Sequence, residues 1–238
     1  MARRGGAAAV GFLVVLLVAA LVAGGLLWGD RYAAGRVERE AGVRLQSELG
    51  TPTAPTVDIE GWPFLTQVAG RHLRRVRVVA DDIPQSDRSS VAVRHSDVVL
   101  TDVTTEDWFQ TMTARLAEGT ALVDYPALAA AAGAPLSYVG NGRVEVKNRS
   151  SLVGVPIDAT ITGRPQLDPA AQTVTLADPE IQVAGVSLPD AASGALLQAL
   201  LKPIPVTGLL FGLRLSSLAP EDDGLHVGLE GDGLELSR

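Results

Sequence analysis

Leu73-Arg74-Arg75-Val76-Arg77-Val78-Val79-Ala80 is a stretch in which apolar and charged residues take turns. Val76, Val78 and Ala80 fall on one side of an extended chain and Arg75 and Arg77 on the other, the pattern of a strand with one buried and one wet face. Working outward, Val91 to Val103 reads as a second strand, and Asp81 to Ser90, rich in Asp and Ser with one Pro, as the turn between them. On the other side Val57-Asp58-Ile59 reads as a first strand, and Gly61-Trp62-Pro63-Phe64-Leu65 breaks regular structure at Gly and Pro. Further strands are expected at Leu136 to Val139, Arg143 to Lys147, Pro156 to Thr162, Thr173 to Leu176 and Ile181 to Val183, with Asn141-Gly142 as a hairpin turn. Leu213 to Leu218 and Leu225 to Leu229 form a hairpin around Asp222-Asp223-Gly224, and Leu234 to Leu236 a last short strand.

Helices are expected at four places. In Asp30 to Leu49, Val37, Ala41, Leu45 and Leu49 recur every fourth residue and Gly50 supplies the stop. Glu106 to Leu116 and Tyr125 to Ala132 read as shorter helices, and Ala191 to Leu201, apolar nearly all round, as a buried one. The fold class is therefore α+β, with a long, mainly antiparallel sheet.

Ala7 to Trp28 carries no charge and follows Arg3 and Arg4. As a helix it would measure roughly 33 Å, close to the hydrocarbon thickness of a bilayer. Two readings are open, an uncleaved transmembrane anchor and a cleaved secretory signal. The run continues through Leu26, Leu27 and Trp28 beyond the small residues Ala23, Gly24 and Gly25, which favours the anchor. The basic flank keeps the N-terminus in the cytoplasm by the positive-inside rule. Residues 1–29 are thus expected to be a membrane segment, and 30–238 one extracytoplasmic domain.

Those first 29 residues hold two Arg and no acid, so the remainder carries 18 basic against 27 acidic side chains, a net charge of −9. This argues against a nucleic-acid partner. It leaves a membrane partner open, because lipid binding depends on where basic residues cluster. With no cysteine, thiolate chemistry, disulfides and a lipid-modified N-terminal Cys are all excluded. Aromatics make up only 4% of the chain, so Val, Leu, Ile and Ala must build the core. Such side chains either pack solid or line a smooth apolar cavity.

Catalytic signatures are weak. The histidines, His72, His95 and His226, form no HxxxH or HExxH pair, so no metal site is expected. His95-Ser96-Asp97 names a hydrolase triad, but neighbouring strand residues face opposite ways and cannot assemble one. Asp81-Asp82 and Glu221-Asp222-Asp223 lack calcium-loop spacing and read as solvated turns. No cofactor motif is present. What remains is Gly61 to Arg77, an aromatic-proline wedge followed by Arg71, Arg74, Arg75 and Arg77 in an otherwise acidic domain. Either Trp62, Phe64 and Leu65 pack inward and the arginines solvate a strand, or the aromatics sit at headgroup level while guanidinium groups grip lipid phosphate.

Several segments together resemble the LmeA-like phospholipid-binding family of envelope proteins, common in actinobacteria. They are Val57-Asp58-Ile59-Glu60-Gly61-Trp62-Pro63-Phe64-Leu65-Thr66-Gln67, the Arg-rich strand after Gly70, Val98-Val99-Leu100-Thr101-Asp102-Val103, Gly119-Thr120-Ala121 with Tyr125, Val186-Ser187-Leu188-Pro189, and Asp223-Gly224-Leu225. The resemblance implies a tubular lipid-binding-like fold, in which a curved sheet wraps on helices around an apolar groove. It also implies a non-enzymatic role in binding phospholipid, anionic and phosphoinositide-like, in support of envelope lipid or lipoglycan assembly. The residues expected at the lipid are Trp62, Phe64, Leu65, Arg71, Arg75 and Arg77. Two rivals remain: a non-catalytic scaffold that engages an envelope glycosyltransferase, and a hydrolase built around His95 or His226.

Overall fold

The computed structural model describes residues 5–86, 91–105, 111–152, 155–183, 186–187, 204–205 and 212–237. A 45-residue helix, α1 (Gly5–Leu49), leads to β1 (Thr56–Glu60), the short helix α2 (Phe64–Ala69), and the long strands β2 (His72–Ile83), β3 (Val93–Thr105) and β4 (Thr111–Val123). Helix α3 (Tyr125–Ala132) precedes β5 (Leu136–Gly140), β6 (Arg143–Leu152), β7 (Val155–Asp168) and β8 (Thr173–Val183). Then come the two-residue strands β9 (Val186–Ser187) and β10 (Ile204–Pro205), and the closing pair β11 (Arg214–Glu221) and β12 (Gly224–Ser237).

Mostly antiparallel sheet with a few helices is what the sequence leads one to expect, but the sheet is divided. One sheet has the order β1-β2-β3-β4-β12-β11, and a second the order β10-β8-β7-β6-β5 with β9 beside β8. The break falls at α3. A proline in its first turn and Gly133 at its end, with φ 65°, start and stop this helix within eight residues, and it carries the chain out of the first sheet into the second. The Asn141-Gly142 turn, with φ of 53° and 69°, joins β5 to β6 as the sequence suggests.

A crease crosses the first sheet. Leu73, Val103, Ala114 and Leu234 lie side by side across β2, β3, β4 and β12, and all four are buried. The next inward row is Val76, Leu100, Ala117 and Gly231, three residues along each strand instead of two or four. Between the rows the left-handed residues Asp102 (φ 52°) and Gly233 (φ 60°) reset which side the following residues face. This corrects the helix expected at Glu106 to Leu116. Residues 106–110 lie outside the described residues, but Thr111 onward is strand. Ala114, Ala117 and Ala121, buried at helix-like spacing, owe that spacing to the crease.

Ala33, Ala34, Ala41 and Leu45 of α1 pack on Val57, Ile59, Val76 and Val78 of the first sheet. Val37, expected on the same face, is 45% exposed. The buried side of α1 runs through Asp30, Ala34 and Gly42, and Val37 stands about 60° round the helix from Ala34, at the edge of that side. Near the other end Leu167 and Val174 of the second sheet pack on Ala121, Val123, Leu215 and Val227 of the first. The sheets are also stitched by polar atoms: the Gln172 side chain donates to the Leu215 carbonyl (3.0 Å) and accepts from its N–H (2.8 Å). Tyr125 stacks on Tyr138 and donates to the Glu221 carbonyl, and burial pushes its phenol up to about 12.

Among the described residues no helix is long and apolar enough to cross a membrane. The side chains of 5–23, 26 and 27, where the anchor is expected, lie outside that description. So does the expected apolar helix Ala191 to Leu201.

Candidate lipid-facing site

The Gly61 to Gln67 stretch is held from three sides. Asp30, on α1 and only 4% exposed, accepts hydrogen bonds from the backbone N–H of Phe64 (2.9 Å) and of Leu65 (2.8 Å). These are donors that the start of α2 would otherwise leave unpaired. The Gln67 amide donates to the Gly61 carbonyl (3.0 Å) and accepts from the Arg74 N–H (3.0 Å), which closes the loop between β1 and β2. The Trp62-Pro63 peptide bond is cis.

This frame separates the three wedge residues. Phe64, 3% exposed, points into the core with Ala34, Val57, Ile59 and Leu73, so it stabilises the frame and is no surface contact. Its burial is worth about 1.5–3 kcal/mol. Trp62 and Leu65 stay 58% and 47% exposed. Across α1 at the same height stand Trp28 and Tyr32, stacked with ring centroids 6.0 Å apart and likewise exposed.

The arginines divide as well. Arg71 lies in the turn from α2 to β2 with φ 53°, exposed, its carbonyl accepting from the Thr105 N–H. Arg75 and Arg77 project from the face of the first sheet opposite α1, as their alternation with Val76 and Val78 requires. There each meets an acid. Arg75 lies 3.5 Å from Glu60 of β1, and Arg77 is gripped by both oxygens of Asp97 on β3, its Nε donating at 2.9 Å. That bond raises the Arg77 pKa, and the guanidinium holds the Asp97 carboxyl below the usual range.

Each histidine also pairs with a carboxylate: His72 with Asp102, His95 with Asp81 and His226 with Asp223. Asp97 of the His95-Ser96-Asp97 tripeptide is committed to Arg77. Glu221, Asp223 and His226 bring one ligand atom each within 4.8 Å of one another and could hold a metal ion. The Arg94 guanidinium, 3.4 Å from Asp223, competes for that site. All three stand within six residues, in the hairpin the sequence already leads one to expect, but their spacing matches no metal motif.

A hollow of about 180 Å³ between the β2–β3 end and α3 is lined by Ile83, Pro84, Val93 and Ala127 together with Asp82, Arg94 and Asp124. It is smaller than the roughly 300–1,000 Å³ of ordinary ligand pockets, and charged groups share its lining. More informative is the inward row Val78, Val98, Gly119, Leu229 and Leu215 of the first sheet. Val98 and Gly119, at its middle, are half-buried and belong to neither packed cluster.

Sequence reasoning missed Asp30 and Gln67, which organise the site. A lone acid two residues after an uncharged run, and an amide three residues beyond an aromatic-Pro break, were the available signals. Taken together, fold and rim define an antiparallel α+β protein with an aliphatic interior and an aromatic edge. A family model for LmeA-like phospholipid-binding matches residues 28–230, and the chain belongs to that family. The match opens at Trp28 and takes in every residue from Trp62 to Arg77. No curated protein and no solved structure matches the chain.

Proposed function

We propose that this protein binds phospholipid, anionic and phosphoinositide-like, at the outer side of the cytoplasmic membrane, and so supports envelope lipid or lipoglycan assembly without catalysing a reaction. The observation that carries this reading is the family match across nearly the whole of the domain. In it Ala7 to Trp28 anchors the chain with its N-terminus in the cytoplasm, and residues 30–238 form the extracytoplasmic domain. Acyl chains lie over the Val98–Gly119–Leu229 row, where each buried methylene contributes about 0.8 kcal/mol. Trp62 and Leu65 border the entrance, and Arg71 meets the headgroup. Arg75 and Arg77 reach a headgroup only by exchanging Glu60 and Asp97 for phosphate.

The test is lipid extraction. The full chain, purified in mild detergent, is expected to carry phospholipid detectable by mass spectrometry and to prefer liposomes containing anionic lipid. Val98→Trp, which fills the middle of the row, should strip the lipid without unfolding the chain. A parent protein free of lipid and indifferent to anionic liposomes would overturn the proposal in favour of a protein-binding scaffold.

A further inference from the structure

Trp28, Tyr32, Trp62 and Leu65 are large apolar side chains left open at one height of the molecule. The height is fixed by Asp30, whose carboxylate ties α1 to the amides of Phe64 and Leu65. Residues 28 to 32 of a helix rise only about 6 Å, so the wedge turn and the stacked pair share one level on opposite sides of α1. Buried Asp30 and Ala34 mark the side of α1 that faces the domain, and Trp28 and Tyr32 project from the far side. The aromatics therefore encircle the helix and do not form a one-sided patch.

Charge is arranged around this level in the same sense. From Gly5 to Gly29 the sequence has no charged residue, and the first to follow, Asp30, is buried and hydrogen-bonded. Arg31 and Arg36 come next, both exposed and neither in an ion pair among the described residues. Such a sequence, an uncharged helix, then a ring of Trp and Tyr, then unpaired guanidinium groups, suits the passage from hydrocarbon through the interfacial layer to the phosphates.

We propose that this ring is the seat of the domain on a bilayer: Trp28, Tyr32, Trp62 and Leu65 rest in the headgroup layer, and Arg31 and Arg36 contact lipid phosphates. This rests on the reading of Ala7 to Trp28 as a membrane segment. The Asp30 tie makes helix and domain one rigid unit, so the domain stands at a set height with the wedge turned toward lipid. A flexible tether would let it swing.

The chain has no cysteine, so single nitroxide labels can be placed without removing any native thiol. Trp28→Cys, Tyr32→Cys, Trp62→Cys, Leu65→Cys and Val139→Cys, one at a time, are labelled in the full chain. Val139, 47% exposed on the second sheet, serves as the aqueous reference. Each is reconstituted in nanodiscs with a fifth of the lipid anionic, and its accessibility to oxygen is compared with that to a water-soluble nickel chelate. Labels at 28, 32, 62 and 65 are expected to favour oxygen severalfold over the label at 139. If 62 and 65 behave like 139 while 28 favours oxygen, the domain stands clear of the membrane and the seat is refuted, although the anchor holds. If 28 also behaves like 139, the anchor falls with it. Should a label at 62 unfold the chain, as circular dichroism would reveal, those at 65 and 32 decide the matter.

Discussion

Replacing Asp30 with alanine removes both acceptors that hold the start of α2. Hydrogen bonds to a charged group are worth about 1.5–3 kcal/mol each. The Phe64 N–H is buried and loses close to the full amount, whereas water can reach the Leu65 N–H, so its loss lies near the lower end. Alanine returns about 0.5 kcal/mol through better helix propensity within α1. The net cost is then about 4 kcal/mol, a large share of the roughly 5–15 kcal/mol that stabilises an ordinary domain. In a urea titration of the full chain in detergent, the midpoint should fall by about 1–2 M. The Phe64 and Leu65 amides should lose hydrogen-exchange protection, while amides in the centre of β3 keep theirs in dilute urea. Asp30→Asn, which keeps one acceptor, should fall between. If Asp30→Ala unfolds at the parent midpoint with the Phe64 amide still protected, the carboxylate is not what holds the wedge.

At Asp102, φ 52° costs an ordinary side chain about 1 kcal/mol. Asp102→Gly should therefore be the more stable of two variants that both lose the His72 and Arg115 contacts; an alanine variant as stable as the glycine one, by thermal melting, would show that the crease makes no backbone demand. Acid behaviour follows from the carboxylates of Asp97, Asp102 and Asp223, all held below the usual range, chiefly by hydrogen bonds from Arg77, Arg115 and His226 respectively. Because their folded pKa values are lowered, their stabilisation is present above about pH 4 and fades as pH falls through those folded values. Asp97→Asn should lower stability at neutral pH and flatten the acid limb of a stability-versus-pH curve. An unchanged limb would mean the Arg77 pair contributes nothing to folding.

Much of the fold could be read directly from residues. The α3 helix between Asp124 and Gly133, the Asn141-Gly142 hairpin and the alternation of Val76 and Val78 with Arg75 and Arg77 are local signals, and each has a local cause. Features made by pairing between distant segments were not legible. Thr111 to Val123 contains good helix formers such as Met112, Arg115, Leu116 and Glu118, and it is strand because β3 and β12 flank it on both sides. That two carboxylates would claim Arg75 and Arg77 depended on register, since Glu60 becomes a neighbour only when β1 pairs with β2. At the wedge, the sequence shows Trp62, Phe64 and Leu65 around one proline, but which of them turns inward is decided by Asp30, thirty-four residues before Phe64.

The Gln172 amide at Leu215 has a bearing on solubility. Strand β11 ends the order of its sheet, and such a border is where a second polypeptide could add itself and begin fibrous growth. By occupying the main-chain donor and acceptor of Leu215, one glutamine spoils that template at its apolar end, while Pro220 withholds a donor near the other. A molecule crowded beside its own copies is thereby guarded against sticking to them.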